Sequence, residues 1–217
     1  MQPETIMVLA TRNRGKTKEL QSLLGPTGIT VKNLDDFGPM PDVAEDGATF
    51  DENAYKKSSF YARILGFPTM ADDSGLVVEA LGGAPGVLSA RYAGKDAADS
   101  DRCEKLLAEM KGKRNREAAF ECVISIAVPS GAALTYEGRC EGRIAEAPSG
   151  ENGFGYDPVF YYPPLEKTFA ELDTDEKNRV SHRGRALAEV VAEIDKVKTW
   201  IRLNMPIFEK VACQHDN

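Results

Sequence analysis

The stretch Ala118–Ile144, AAFECVISIAVPSGAALTYEGRCEGRI, decides the fold. Ala118, Phe120, Cys122, Ile124, Ile126 and Val128 fall on every second position, the spacing that puts side chains on one face of a strand. Pro129, Ser130 and Gly131 turn the chain. Leu134, Tyr136, Gly138, Cys140, Gly142 and Ile144 then resume the period of two. The pattern predicts a long antiparallel hairpin.

Toward the N-terminus the pattern changes. Ile6–Ala10 is a short apolar strand that runs into the polar loop Thr11–Lys16. Asn13 can cap a helix marked by Leu20, Leu23 and Leu24, and GITVKN supplies a second strand. Thr49 and Glu52 have capping-box spacing at the head of a helix on which Ala54, Lys57, Tyr61 and Ile64 share a face. TMA and LVVE read as two short strands around an acidic doublet. A glycine-rich turn region follows, then a helix from about Ala97 to Met110 with Cys103, Leu106, Leu107 and Met110 as its stripe. Beyond the hairpin come a loop with a short VFYY strand and a helical turn near Thr174 and Lys177. One long final helix is predicted from Ser181 through Ile201. Strands alternating with helices early and a hairpin late argue for α/β architecture with a mixed sheet in two lobes. The whole chain, 1–217, is predicted to form a single α/β domain made of those two lobes.

Formal net charge is -7, from 27 basic and 34 acidic residues, which does not suit a passive binder of nucleic-acid backbones. A local basic patch can still hold a small anion. No apolar run approaches the roughly 20 residues of a membrane span, and the N-terminus lacks the pattern of a secretory signal. Cys103, Cys122, Cys140 and Cys213 are scattered, as buried thiols of a cytoplasmic protein are.

Two polar groupings stand out. The first suits phosphates and Mg²⁺. The loop of Thr11, Arg12, Asn13, Arg14, Gly15 and Lys16 offers amides and cations, although it is not a Walker loop. Glu45, Asp46, Asp72 and Asp73 offer hard oxygen ligands, or a proton acceptor for an attacking water. If the chain is extended, Asp72 and Asp73 point to opposite sides, so that one faces a ligand while the other braces a cation. Ser74 and Gly75 fit a tight turn. Taken alone, the doublet suits a solvated turn as well as a working site. The second grouping suits a planar ring carrying oxygens: Phe154 to stack, Asp157 to accept from ring N–H groups, and Lys177, Ser181, His182 and Arg183 to donate. Core packing of Phe154 and Tyr156, with Asp157 opening a turn before Pro158, is the plainer alternative. A nucleoside triphosphate has both ends.

Five ordered segments resemble one known family: TRNRGK (11–16), EDGATFDENAYKK (45–57), ADDSGLVVEALGGAPGVLSARYAG (71–94), GFGYDP (153–158) and EKNRVSHRGRA (176–186). The chain resembles the inosine triphosphate pyrophosphatases, also described as Ham1-like, over about Ile6–Ile201. The resemblance implies a long mixed central sheet flanked by helices, in two lobes with the nucleotide in the cleft between them. It implies Mg²⁺-dependent hydrolysis of ITP, dITP and XTP to the monophosphate and pyrophosphate, by a homodimer. It implies that Thr11–Lys16 form the phosphate loop, that Lys57 lines the phosphate end and that Ser74 is a substrate contact. Glu45 and Asp73 match the metal-site acids, Asp73 also the general base, with Asp72 in support. Phe154, Gly155, Tyr156 and Asp157 match the base-binding segment. Lys177, Ser181, His182 and Arg183 match the groups that read the 6-oxo edge. The chain departs from the family at Arg12, where many members have glycine. A pyrophosphatase for other modified nucleotides, a non-catalytic nucleotide sensor and a partner-binding protein are the rival classes.

Overall fold

The computed structural model describes residues 5–206; Cys213 and the two ends of the 1–217 domain lie outside them. One seven-stranded sheet runs in the order β2-β1-β3-β4-β5-β6-β7. Its strands are β1 (Ile6–Leu9), β2 (Thr30–Asn33), β3 (Thr69–Val78), β4 (Glu117–Ala127), β5 (Ala133–Ile144), β6 (Phe160–Tyr162) and β7 (Lys167–Thr168). β1 pairs in parallel with β2 and β3, and every pair from β3 to β7 is antiparallel. The sheet is mixed, and the predicted hairpin is its spine: Ala118 opposes Gly142 and Ile126 opposes Leu134. The helices are α1 (Arg14–Leu24), α2 (Phe50–Leu65), α3 (Asp99–Glu109), α4 (Thr174–Val180), α5 (His182–Ala192) and α6 (Ile194–Asn204).

Side-chain parity along β3 shows how the sheet makes a site. One face carries Met70, Asp72, Ser74, Leu76 and Val78. Met70 belongs to an apolar core with Leu9, Leu20, Ile124, Leu187 and Val197. Leu76 and Val78 belong to a second core with Leu106, Phe120, Cys140 and Phe160. Asp72 and Ser74 fill the interval between the two cores on that face. The other face carries Ala71 and Asp73, and Ala71 packs with Val8 and Tyr61. The long strands thus support two apolar clusters with a polar seam between them.

Three predicted details differ. TMA and LVVE are one continuous strand through the acidic doublet, so Ser74 and Gly75 form no turn; Asp72 and Asp73 find cations and donors on opposite faces, and the backbone stays in the ladder. Ile64 is 50% exposed, because the buried stripe of α2 runs through Ala54, Ser58, Tyr61 and Ala62 and leaves it at the edge. The final helix breaks at Glu193 into α5 and α6, which lets Leu187 and Val190 before the break and Val197 and Ile201 after it join the same core.

Candidate functional site

The seam opens into a cleft of about 330 Å³, within the range of small-molecule sites. At one end, α1 starts directly after β1. Asn13 caps it, with Oδ1 accepting from the amides of Gly15 (2.9 Å) and Lys16 (3.1 Å). Those two amides therefore stabilise the helix start. The Asn13 amide donates to Thr11 Oγ1 at 3.2 Å. Lys16 turns inward and meets Asp72 at 2.9 Å. Arg12 points along the rim, pairing with Asp42 at 2.7 Å and donating to the Met40 carbonyl at 2.6 Å. The Arg14 side chain lies outside the described residues.

The doublet splits as strand geometry requires. Asp72 is buried on the α5 side, where it accepts from Arg183 Nε and Nη2, both at 3.1 Å. Burial alone would raise its pKa, but Lys16 and Arg183 outweigh burial and hold the carboxyl far below the ordinary range. Asp72 does not line the cleft. Asp73 lines it from the α2 side, accepting from Asn53 Nδ2 at 3.0 Å. Here burial prevails over the pull of Lys57 and Lys16, and the pKa is raised. Lys57 Nζ donates to the Asp72 carbonyl at 2.7 Å and lies 3.0 Å from Glu45 and 3.9 Å from Asp73. Burial lowers the Lys57 pKa, yet Asp73 and Glu45 more than compensate and it is raised. Asp46, by contrast, is exposed and pairs with Lys56.

Glu45 and Asp73 thus share the Lys57 ammonium as a neighbour, at 3.0 Å and 3.9 Å, and a metal ion held by the two carboxylates would compete with it. Among the described residues, no three His, Cys, Asp or Glu side chains form a closed metal cage. Two carboxylates at an open cleft fit a hard divalent cation that keeps its waters and shares substrate oxygens, as Mg²⁺ does, better than a structural zinc.

At the other end, Phe154 lies over a buried cationic pair, with Lys177 Nζ 4.4 Å and the Arg183 guanidinium carbon 5.7 Å from its ring centroid. Its ring also packs on Gly15; a Cβ there would come within 2.6 Å of it. Lys177 is held by Asp157 at 2.6 Å and Glu19 at 3.0 Å. Asp157 also accepts from the Phe154 amide at 2.8 Å; burial raises its pKa and Lys177 offsets only part of that. Tyr156 is a core residue whose hydroxyl donates to the Ser89 carbonyl at 3.0 Å. Ser74 Oγ accepts from Arg183 Nη2 at 2.9 Å.

Ser181 caps α5 by accepting from the Gly184 amide at 3.1 Å; the His182 and Arg183 amides ahead of it have no acceptor within the helix, as at any helix start. Gly138 on β5 allows the helix start to sit this close, since a Cβ there would lie 2.1 Å from the His182 carbonyl oxygen. His182 stacks on Phe120, with centroids 4.7 Å apart and planes at 12°, and its buried Nδ1 has no hydrogen-bond partner. Burial, then the nearby Arg183 and Lys177, push its pKa well below the ordinary value, so the imidazole is neutral.

Sequence reasoning missed Glu19, Asn53, Asp99 and Phe120. Glu19 joins Lys177 to Arg183, and Asn53 holds Asp73. Both had a signal: each sits one helical turn from a noted lysine, Lys16 on α1 and Lys57 on α2, on a face that is otherwise buried.

The Ham1 family model matches residues 7–193. A Syntrophobacter fumaroxidans protein called dITP/XTP pyrophosphatase is 60% identical over 90% of this chain and 84% of its own length. A Geobacillus kaustophilus protein of the same name is 50% identical over 88% and 95%. Among solved structures, a HAM1 protein from Coxiella burnetii superposes with a TM-score of 0.83 at 44% identity, covering 88% of this chain and 99% of that one. The Staphylococcus aureus Ham1 protein gives 0.81 at 40%, covering 89% and 100%.

Proposed function

The chain belongs to the Ham1 family, and from that premise we propose that it hydrolyses the non-canonical purine nucleotides dITP, XTP and ITP to the monophosphate and pyrophosphate. The observation that carries this reading is one cleft joining the acids Glu45 and Asp73 to the ring of Phe154 and the neutral imidazole of His182. Relatives named as dITP/XTP pyrophosphatases support the substrate class.

In this reading Glu45 and Asp73 hold Mg²⁺, which neutralises charge on the phosphates when bound. Asp73 is the proton acceptor for the attacking water, because it lines the cleft. Asp72 serves as the anchor that fixes Lys16 and Arg183. Lys57 and Lys16 stand nearest the triphosphate and hold the leaving pyrophosphate's charge. Thr11, Arg12, Asn13 and Gly15 shape the rim of that end, with Arg14 beside them in sequence. Ser74 and Ser181 position Arg183 and the α5 start.

At the base end Phe154 stacks on the purine. Lys177 and Asp157 hold the loop of Phe154, Gly155 and Tyr156. His182, with the first amides of α5, donates to the 6-oxo group. Adenine presents an amino group there, which leaves a buried donor unmatched at a cost of about 1–3 kcal/mol. The same reading makes the protein a cytoplasmic homodimer acting on free nucleotides. No helix among the described residues is long and apolar enough to cross a membrane.

The test is pyrophosphate release from ITP, dITP, XTP, dUTP and the four common nucleotides, with and without Mg²⁺. Release from the three deaminated purines alone, and only with Mg²⁺, is expected. Equal release from ATP would sink the assignment.

A further inference from the structure

The ring of Phe154 points where its two flanking peptide planes send it, since those planes set its φ and ψ. The plane before it is fixed by Asp157, which accepts from the Phe154 amide at 2.8 Å. The plane after it is fixed from a different element. Asp99, the first residue of α3, accepts from the Gly155 amide at 2.6 Å across 56 positions of sequence. The second Asp99 oxygen is taken by Arg102, which is itself anchored on the Ala97 carbonyl at 2.7 Å. The next turn of α3 holds the other side of the same residue, with Cys103 Sγ donating to the Gly155 carbonyl at 3.4 Å. Gly155 has φ +65, a conformation glycine adopts without steric cost and therefore one that needs outside contacts to be unique. Asp99 and Arg102 also line the cleft.

We propose that Asp99 is a positioning residue for the nucleobase: through Gly155 it sets the tilt of Phe154 against the bound ring. The proposal rests on the nucleotide reading above. Asp157 is committed to Lys177 as well as to its peptide, whereas the Asp99–Arg102 pair has the Gly155 amide as its link to the loop, so this carboxylate is the one that can be altered without disturbing the buried cations. Asn at 99 keeps an acceptor for the amide but loses the charge that orders Arg102. Ala loses both.

The experiment compares Asp99→Ala, Asp99→Asn and wild type in ITP turnover, in inhibition by inorganic tripolyphosphate, and in hydrogen exchange at the Gly155 amide. Asp99→Ala is expected to raise KM for ITP about tenfold with kcat changed less than threefold, and Asp99→Asn to recover most of that loss. Tripolyphosphate has no ring, so its inhibition constant should rise much less than the KM for ITP, by the little that Phe154 packing on Gly15 passes to the loop. Gly155 exchange should quicken at least tenfold in Asp99→Ala. An unchanged KM, a parallel rise in the tripolyphosphate constant, or unchanged Gly155 exchange each overturns the proposal, the last even if the Ala variant is poorly active. A wild type that cleaves no nucleotide overturns the reading on which it rests, and the exchange rate then separates a missing latch from a mistaken substrate.

Discussion

Two consecutive carboxylates on β3 live in opposite surroundings. Asp72, on the α5 face, is enclosed between two apolar cores and spends its charge on Lys16, Arg183 and Ser74. Asp73, on the α2 face, borders the cleft, has Asn53 as a neutral donor, and stands 3.9 Å from its nearest cation. The strand makes this division without any turn, since successive side chains leave opposite sides of a sheet. The same residue type thereby becomes an internal anion in one position and a cleft-lining carboxylate in the next.

The largest expected effect falls on the open face. Asp73→Asn should lower kcat for ITP by about 10³-fold at saturating Mg²⁺. Because burial raises the Asp73 pKa, its folded form takes up a proton before the unfolded form does. Its contribution to stability therefore falls as pH rises through that raised value. The neutral Asn variant should accordingly be at least as stable as wild type at pH 7 in urea. A near-normal rate would remove Asp73 from the chemical step and erase the contrast.

The closed face should answer in stability. Asp72→Asn leaves Lys16 and Arg183 buried with a shared anion missing, which costs about 3–5 kcal/mol by urea unfolding at pH 7. The pH dependence has the opposite sign to that of Asp73. The folded pKa lies far below the ordinary 3.8, so the stabilisation is complete above 3.8 and is lost as pH falls below it toward the folded value. Urea midpoints at pH 5 and pH 3 should therefore converge between wild type and Asp72→Asn. Midpoints that stay equally far apart at both pH values would mean that the pairing is not what stabilises the protein.

Glu45→Gln sharpens the comparison further, since among the described residues Glu45 is the other carboxylate paired with Lys57. It should raise the Mg²⁺ concentration for half-maximal rate about tenfold and lower the urea midpoint less than Asp72→Asn does, since Asp73 remains beside Lys57. An unchanged Mg²⁺ requirement would take Glu45 out of the metal site.

The spine of this architecture was legible because β4 and β5 carry a strict period of two, and α1, α2 and α5 carry capping residues that perform as spaced: Asn13, Thr49 and Ser181. The doublet was legible as a pair of opposed faces but not as one strand, because charge inside a ladder reads as a loop until its partners are known. Those partners come from Lys16 and Arg183, 56 and 111 positions away, and no local pattern shows such closure. Asp99 was invisible for the same reason. Its spacing marks it as an ordinary acid in the first turn of a helix, and only the fold brings Gly155 to it.

The smallest expected effect concerns Arg12, at the rim of the cleft. Arg12 is half exposed, at no position of positive φ, and it spends its guanidinium on Asp42 and the Met40 carbonyl at the rim. A surface pair of this kind contributes about 0–1 kcal/mol. Arg12→Gly should therefore lower stability by less than about 1 kcal/mol and change kcat/KM for ITP by no more than about threefold, with most of any change in KM. Asp42→Asn should give a comparably small loss of stability, because it removes the same pair from the other side. A tenfold fall in kcat for Arg12→Gly with Asp42→Asn unaffected would instead put the guanidinium over the phosphates, and the contrast between a closed β3 interior and an open rim would then fail at this loop.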